Sequence, residues 1–147
     1  MIICDELINL NPQEYQVFEL RSSIYRKLND LSASIMDIDK VIALIPNSAA
    51  PHFRKGRYLT AMGRLKEAVA AFTKAIELDN GYFGETIYFY RAEVLLRLRD
   101  YDGALDDCQH VAPNYTERCF DGQSTRTRGD IEREAESGLS ATRSKKS

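Results

Sequence analysis

Residues 49–80 read AAPHFRKGRYLTAMGRLKEAVAAFTKAIELDN, and the spacing within them decides the fold. Phe53, Gly56, Leu59 and Gly63 fall three or four apart, as do Leu65, Ala68, Phe72, Ala75 and Ile76, so each half carries one apolar stripe at the helical period. Met62-Gly63-Arg64 interrupts the pattern. Gly63 tolerates the left-handed backbone that ends a helix, and Asn80-Gly81 closes the second half and opens a turn. Gly56 and Ala68 are small where two helices would cross, and Phe72 is large enough to fill the space beside them. The stretch predicts an antiparallel helical pair.

A pair of this size keeps one apolar face uncovered and needs a neighbour. The neighbours are in the sequence. Small residues recur at Ser22, Gly56 and Ala92, which are 34 and 36 positions apart. Ser34, Ala68 and Ala104 follow with the same steps, each trailed four residues later by Ile38, Phe72 or Cys108. Leu28, Met62 and Leu98 precede the three inter-helix turns, and Leu31, Leu65 and Tyr101 follow them. A closing proline stands at Pro12 and Pro46, with Asn80 in that place the third time.

On these residues the chain resembles the tetratricopeptide repeat (TPR) proteins, whose period is about 34 residues with Gly-x-x-Tyr, Ala-x-x-x-Phe and a final Pro. Ser22-x-x-Tyr25, Gly56-x-x-Leu59 and Ala92-x-x-Leu95 match the first element, and Ala68-x-x-x-Phe72 matches the second outright. Ser34, Ile38, Cys108 and Asn80 depart from the pattern without breaking its register. The resemblance covers roughly residues 2–112 and implies an all-α solenoid of helical hairpins. It implies about three repeats, a partial N-terminal helix and a C-terminal capping helix.

In that frame residues 1–14 are the second helix of a partial repeat, 15–48 the first repeat, 49–82 the second, 85–118 the third, and 119–147 a capping helix with a disordered tail. The partial repeat is read either as a fragment of a longer array or as a lone N-terminal cap. Pro51 suits the first turn of its helix, where a backbone N–H has no helical partner. The third repeat's second helix is expected to stop near Pro113. Ile131, Ala135 and Leu139 make a thin stripe for a cap over 129–137, with disorder from about Ser140.

Twenty basic side chains against 22 acidic ones leave a formal charge of −2, which supplies no net field to hold a polyanion, so neither nucleic acid nor a membrane surface is the expected partner. Cys4, Cys108 and Cys119 are an odd number without metal-ligand spacing, which reads as a reducing compartment. With no secretory segment and no long apolar run, the expected location is cytoplasmic.

Nothing in the chain assembles catalytic chemistry, so no enzyme, cofactor or metal is expected. His52 and His110 lie in different repeats, and His52 reads as a half-buried packing residue. Cys108 replaces a core aromatic and reads as a buried thiol with no histidine spaced to activate it. Asp37, Asp39, Asp106 and Asp107 read as solvated outer faces of second helices.

The TPR resemblance implies that successive first helices line a concave groove. The lining would be Gln16, Glu19, Leu20, Ser23, Arg26 and Lys27, then Phe53, Arg54, Arg57 and Thr60, then Thr86, Phe89, Tyr90, Glu93 and Arg97. Of these, Arg26, Phe53, Arg54, Arg57, Phe89, Tyr90, Glu93 and Arg97 are the expected partner-binding residues. Guanidinium forks bind carboxylates in pairs, and aromatic walls supply desolvation. The expected ligand is therefore an acidic protein or peptide with apolar anchors. TPR co-chaperones that clamp the C-terminal carboxylate of heat-shock chaperones use Lys, Asn and Arg, where this chain has Glu19, Ser23, Arg54, Thr86 and Tyr90, so that clamp is not carried over. The alternative function is a structural segment of a larger TPR assembly that self-associates or docks through its ends.

Overall fold

The computed structural model describes residues 1–118 and 125–146. Among them are eight helices: α1 (Ile2–Leu10), α2 (Tyr15–Lys27), α3 (Leu31–Leu44), α4 (Ala49–Ala61), α5 (Leu65–Leu78), α6 (Glu85–Arg97), α7 (Tyr101–Cys108) and α8 (Arg128–Ser144). A two-stranded hairpin, β1 (Thr116–Arg118) and β2 (Thr125–Thr127), precedes α8, with Thr116 opposite Thr127. The fold is an all-α TPR solenoid carrying this one hairpin.

The three hairpin turns share one mechanism. Asn29, Gly63 and Arg99 sit at φ of 62°, 75° and 61°. The amides of the residues that follow, Asp30, Arg64 and Asp100, each donate at 2.9 Å to the carbonyls of Tyr25, Leu59 and Leu95, closing the first helix with a left-handed residue. Asp30 and Asp100 then cap the next helix by accepting from the Ala33 and Gly103 amides.

Packing follows the small-against-large spacing. A Cβ on Gly56 would lie 2.7 Å from the Phe72 ring, so glycine is what admits phenylalanine there. At the corresponding crossing in the first repeat, Ser22 and Ser34 exchange hydroxyl-to-carbonyl bonds of 3.1 and 2.9 Å, which satisfies two buried polar side chains. Phe53, Phe72, Phe83 and Tyr90 join in one aromatic cluster, with centroids 5.1–6.3 Å apart. Helix α6 is buried nearly all round. Ile87, Tyr90 and Val94 face the core shared with α3–α5, while Phe89, Ala92, Leu95 and Leu96 face the core shared with α7 and α8.

A second regularity runs through the repeats. The cation at Arg21, Lys55 or Arg91 reaches back to the preceding second helix, to Asp5 at 2.6 Å, Asp39 at 2.7 Å and Thr73 at 2.9 Å. Arg21 and Arg91 also grip Asp37 and Asp107 of their own repeats in two-pronged bonds of 2.6 and 2.8 Å. Asp37 and Asp107 are therefore buried at 3% and 1% exposure, a correction to their reading as solvated faces; only Asp39 and Asp106 are exposed. Ala71 occupies that register position in the second repeat, so Lys55 meets no carboxylate there and pairs instead with Asp39. The hydrogen-bonded carboxylates raise the pKa values of Arg21 and Arg91 further above the ordinary range.

The C-terminal third differs most from expectation. Helix α7 stops at Cys108, short of Pro113, because Gln109, His110 and Val111 switch to bonds with the residue three back, and Pro113 disfavours helical backbone at Ala112. Residues 116–118, placed within the third repeat, form β1. Helix α8 passes Ser140 and ends at Ser144, where disorder was expected. A reciprocal Thr127–Asp130 capping box starts it, and Ile131 and Ala135 bury against α7. Gly138 lies so close to the Tyr101 ring that any Cβ would overlap it. With Arg128 bonded to the Val111 carbonyl and Gly138 beside Tyr101, α8 runs antiparallel to α7, as a further first helix would. Cys119 lies outside the described residues.

Candidate partner-binding groove

Helices α2 and α4 face one cleft near their C-terminal ends, where Arg26, Arg57 and Ala61 are exposed while Tyr58, Leu59 and Thr60 are buried. Between them Ser23, Arg26, Asn29, Leu31, Arg54, Arg57, Tyr58 and Ala61 line a cavity of about 430 Å³. The structure thus brings together Arg26, Arg54 and Arg57 of the expected set. Arg54 binds Glu19 at 2.5 Å. The Arg57 guanidinium lies 5.1 Å from the Tyr90 ring centroid and 5.9 Å from that of Phe53, an arrangement that holds the cation over aromatic faces. Two exposed cations and one paired with Glu19 converge on a polar cleft that no carboxylate lines among the described residues.

The aromatic residues do not join them. Phe53, Phe89 and Tyr90 are 7%, 0% and 3% exposed, so they are core and cannot anchor a ligand by exchanging water for contact. Glu93 is buried too, its Oε1 3.7 Å from Arg126 of β2. The reason is the chain that follows α7, which crosses α6 on the side expected to be open. The Glu85 carboxylate accepts from the Ala112 amide at 2.8 Å, Thr86 and Tyr115 share a hydroxyl bond of 2.8 Å, and the Phe89 and Tyr115 rings lie 5.4 Å apart. This covering strand and loop close the third repeat's share of the groove. Arg97 stays exposed and donates to the Thr60 carbonyl at 3.4 Å, and it does not line the cavity that the three other arginines share.

Asn29, Tyr58, Leu31 and Ala61 line the cleft and were not foreseen. Asn29 was marked only by its place at the left-handed turn position shared with Gly63. Elsewhere, His52 is half-buried, and burial lowers its pKa below the ordinary imidazole value. Burial pushes the Cys108 thiol up to about 11, so it is inert as a nucleophile at neutral pH. Among the described residues no three His, Cys, Asp or Glu side chains are placed to hold a metal, and no helix is long and apolar enough to cross a membrane.

A tetratricopeptide repeat family model matches residues 49–82, and a second matches residues 15–48. The chain belongs to the tetratricopeptide repeat family. Solved structures agree in fold. A MamA crystal structure superposes with a TM-score of 0.70 at 15% identity over 97% of this chain and 86% of that one. The TPR2B domain of yeast Sti1, solved in complex with pHsp70, gives 0.68 at 20% identity over 84% and 96%. YrrB, described as a TPR protein with an unusual peptide-binding site, gives 0.63 at 21% identity over 72% of this TPR chain and 54% of its own. The chain spans between half and two thirds of several of the solved chains it matches.

Proposed function

We propose that this TPR chain is a non-enzymatic interaction module of the cytoplasm that receives an acidic segment of a partner protein in the cleft between α2 and α4. The observation that carries the reading is the convergence of Arg26, Arg54 and Arg57 on one open cavity. A carboxylate entering there meets Arg57, already held in place over Tyr90 and Phe53, so less side-chain freedom is lost on binding. It also competes with Glu19 for Arg54, which makes Glu19 a built-in surrogate for the ligand. Because the aromatic groups are core, the ligand is chiefly acidic and lacks the apolar anchors expected from sequence. The Sti1 domain, solved in complex with pHsp70, and YrrB, with its unusual peptide-binding site, support the general class of partner.

Fluorescence anisotropy of a labelled Asp/Glu-rich peptide tests this. Arg26, Arg54 and Arg57 changed together to Glu should abolish binding with an unchanged circular dichroism spectrum, and Glu19→Gln should tighten it about two- to tenfold. Equal affinity in the native chain and the triple variant overturns the assignment.

A further inference from the structure

The first and third repeats each bury a carboxylate in the same place, and the second does not. Arg21 and Arg91 hold Asp37 and Asp107 in two-pronged bonds of 2.6 and 2.8 Å, and their guanidinium groups lie 5.8 and 5.7 Å from the ring centroids of Phe18 and Tyr88. In the second repeat the three corresponding positions change together: Lys55 replaces the arginine, Ala71 the aspartate and His52 the aromatic. What remains is space. His52, Lys55 and Ala71 line a cavity of about 340 Å³ that shares no residue with the cleft of Arg26, Arg54 and Arg57. In the third repeat His110 stacks on Tyr88 with centroids 4.3 Å apart, whereas its counterpart in the second, Lys74, brings another ammonium group to the cavity wall.

From this geometry we propose that the cavity receives the side-chain carboxylate of an aspartate or glutamate from a partner protein, which makes to Lys55 and Lys74 the contact that Asp37 and Asp107 make within their own repeats. The carboxylates already nearby do not fill that role. Asp39, 2.7 Å from Lys55, stands where Asp5 stands toward Arg21, and Arg21 holds Asp5 and Asp37 at once. Glu67 is taken by both prongs of Arg64. The Lys74–Glu77 pair is 50% and 57% exposed, so Lys74 turns to a competing anion at little cost. The charge felt inside is positive: burial lowers the His52 pKa against the Pro46 carbonyl, and Lys55 and Lys74 each lower it by more than Asp39 raises it. A protein segment is the source because exposed ammonium contacts are weak on their own, whereas the neighbours of a partner's acidic residue also cover Ile42 and Ala70 beside the cations.

NMR of the two histidine rings tests the site on the full chain, with His110 as the internal reference. The probe is a blocked Ala-Leu-Asp-Ala-Leu peptide, compared with its Asn counterpart and with acetate, each titrated to about 20 mM. The Asp peptide should shift the His52 resonances saturably and leave those of His110 in place, while the other two shift His52 less than about a tenth as much. Lys55→Met should weaken the Asp peptide about tenfold or more with unchanged helicity. Ala71→Asp supplies the carboxylate from within, so it should exclude the peptide and melt no lower than the native chain. Adding Lys55→Met to it should lower the melting temperature by about 10 °C or more, against about 2 °C for Lys55→Met alone. An unmoved His52, an Asn peptide or acetate that matches the Asp peptide, or full affinity in either variant overturns the proposal. So does an Ala71→Asp chain that fails to fold, since Lys55 then holds no carboxylate there. The Arg26/Arg54/Arg57→Glu chain should keep the His52 response; its loss would place the peptide in the cleft between α2 and α4 and refute this site.

Discussion

The tightest point of the fold is the crossing of α4 and α5, and replacing Gly56 by Ala probes it directly. The added methyl would stand 2.7, 2.7 and 2.9 Å from three carbons of the Phe72 ring. Ordinary carbon contacts begin near 3.5 Å, so the ring has to retreat by roughly 0.8 Å. It has nowhere to go. Phe72 is 0% exposed, with Phe53 and Tyr90 at 5.9 and 6.3 Å between centroids. Overpacking of this kind costs about 1–3 kcal/mol. Alanine regains about 1 kcal/mol of helix propensity over glycine, so the net expectation is destabilisation by up to about 2 kcal/mol. For a chain of this length that is a drop of up to roughly 8 °C in melting temperature. The decisive assay is urea denaturation followed by circular dichroism on Gly56→Ala, Phe72→Leu and the double variant. Phe72→Leu alone leaves a void, and in the double variant the new methyl fills part of it, so the two changes should couple favourably by about 1 kcal/mol. Strict additivity, or a Gly56→Ala chain that gains stability as an exposed helix site would, refutes the reasoning that Gly56 exists to admit Phe72.

Three other perturbations have defined outcomes. Asp107→Ala strands the Arg91 guanidinium without its two-pronged partner and should lower stability by about 3–5 kcal/mol in denaturant titration, whereas replacing both residues by Met and Leu should cost clearly less. The Cys108 thiol, raised by burial to about 11, stays protonated in the folded chain while the unfolded one ionises near 9; its contribution is complete below pH 9 and is lost as the pH rises from 9 to 11, a decline that Cys108→Ala should reduce in pH-dependent melts. Gly138→Val drives a branched side chain into the Tyr101 ring and should release α8, read as faster amide exchange across residues 128–144 while α2–α5 keep their protection.

The helical frame was legible because its signals are local and repeat: the small residue at 22, 56 and 92, the bulkier one at 38, 72 and 108, and a left-handed turn position between them. The carboxylates at 37 and 107 were misread because each was judged by its own helix, although a cation stands sixteen residues before each one. The groove was half legible. Its cationic side follows from register, but its aromatic side does not, since a step of one or two residues separates a core face from an open one and α6 is apolar on nearly every side, which is the composition of a buried helix. What covers α6 was invisible in the repeat pattern, because Tyr115 follows the end of α7, Arg126 follows the third repeat, and their contacts depend on where the chain returns after α7.

The ladder of cations at Arg21, Lys55 and Arg91 makes the solenoid respond unevenly to ionic strength. Within their own repeats Arg21 and Arg91 are shielded by the burial of Asp37 and Asp107, but the links between repeats are unlike: Arg21–Asp5 and Lys55–Asp39 are ion pairs whose carboxylates are 52% and 50% exposed, and Arg91 meets the neutral Thr73 hydroxyl. Dissolved salt therefore weakens the links ahead of α2 and α4 and spares the one ahead of α6. The salt-sensitive link ahead of α4 lies beside the cleft that Arg26, Arg54 and Arg57 line.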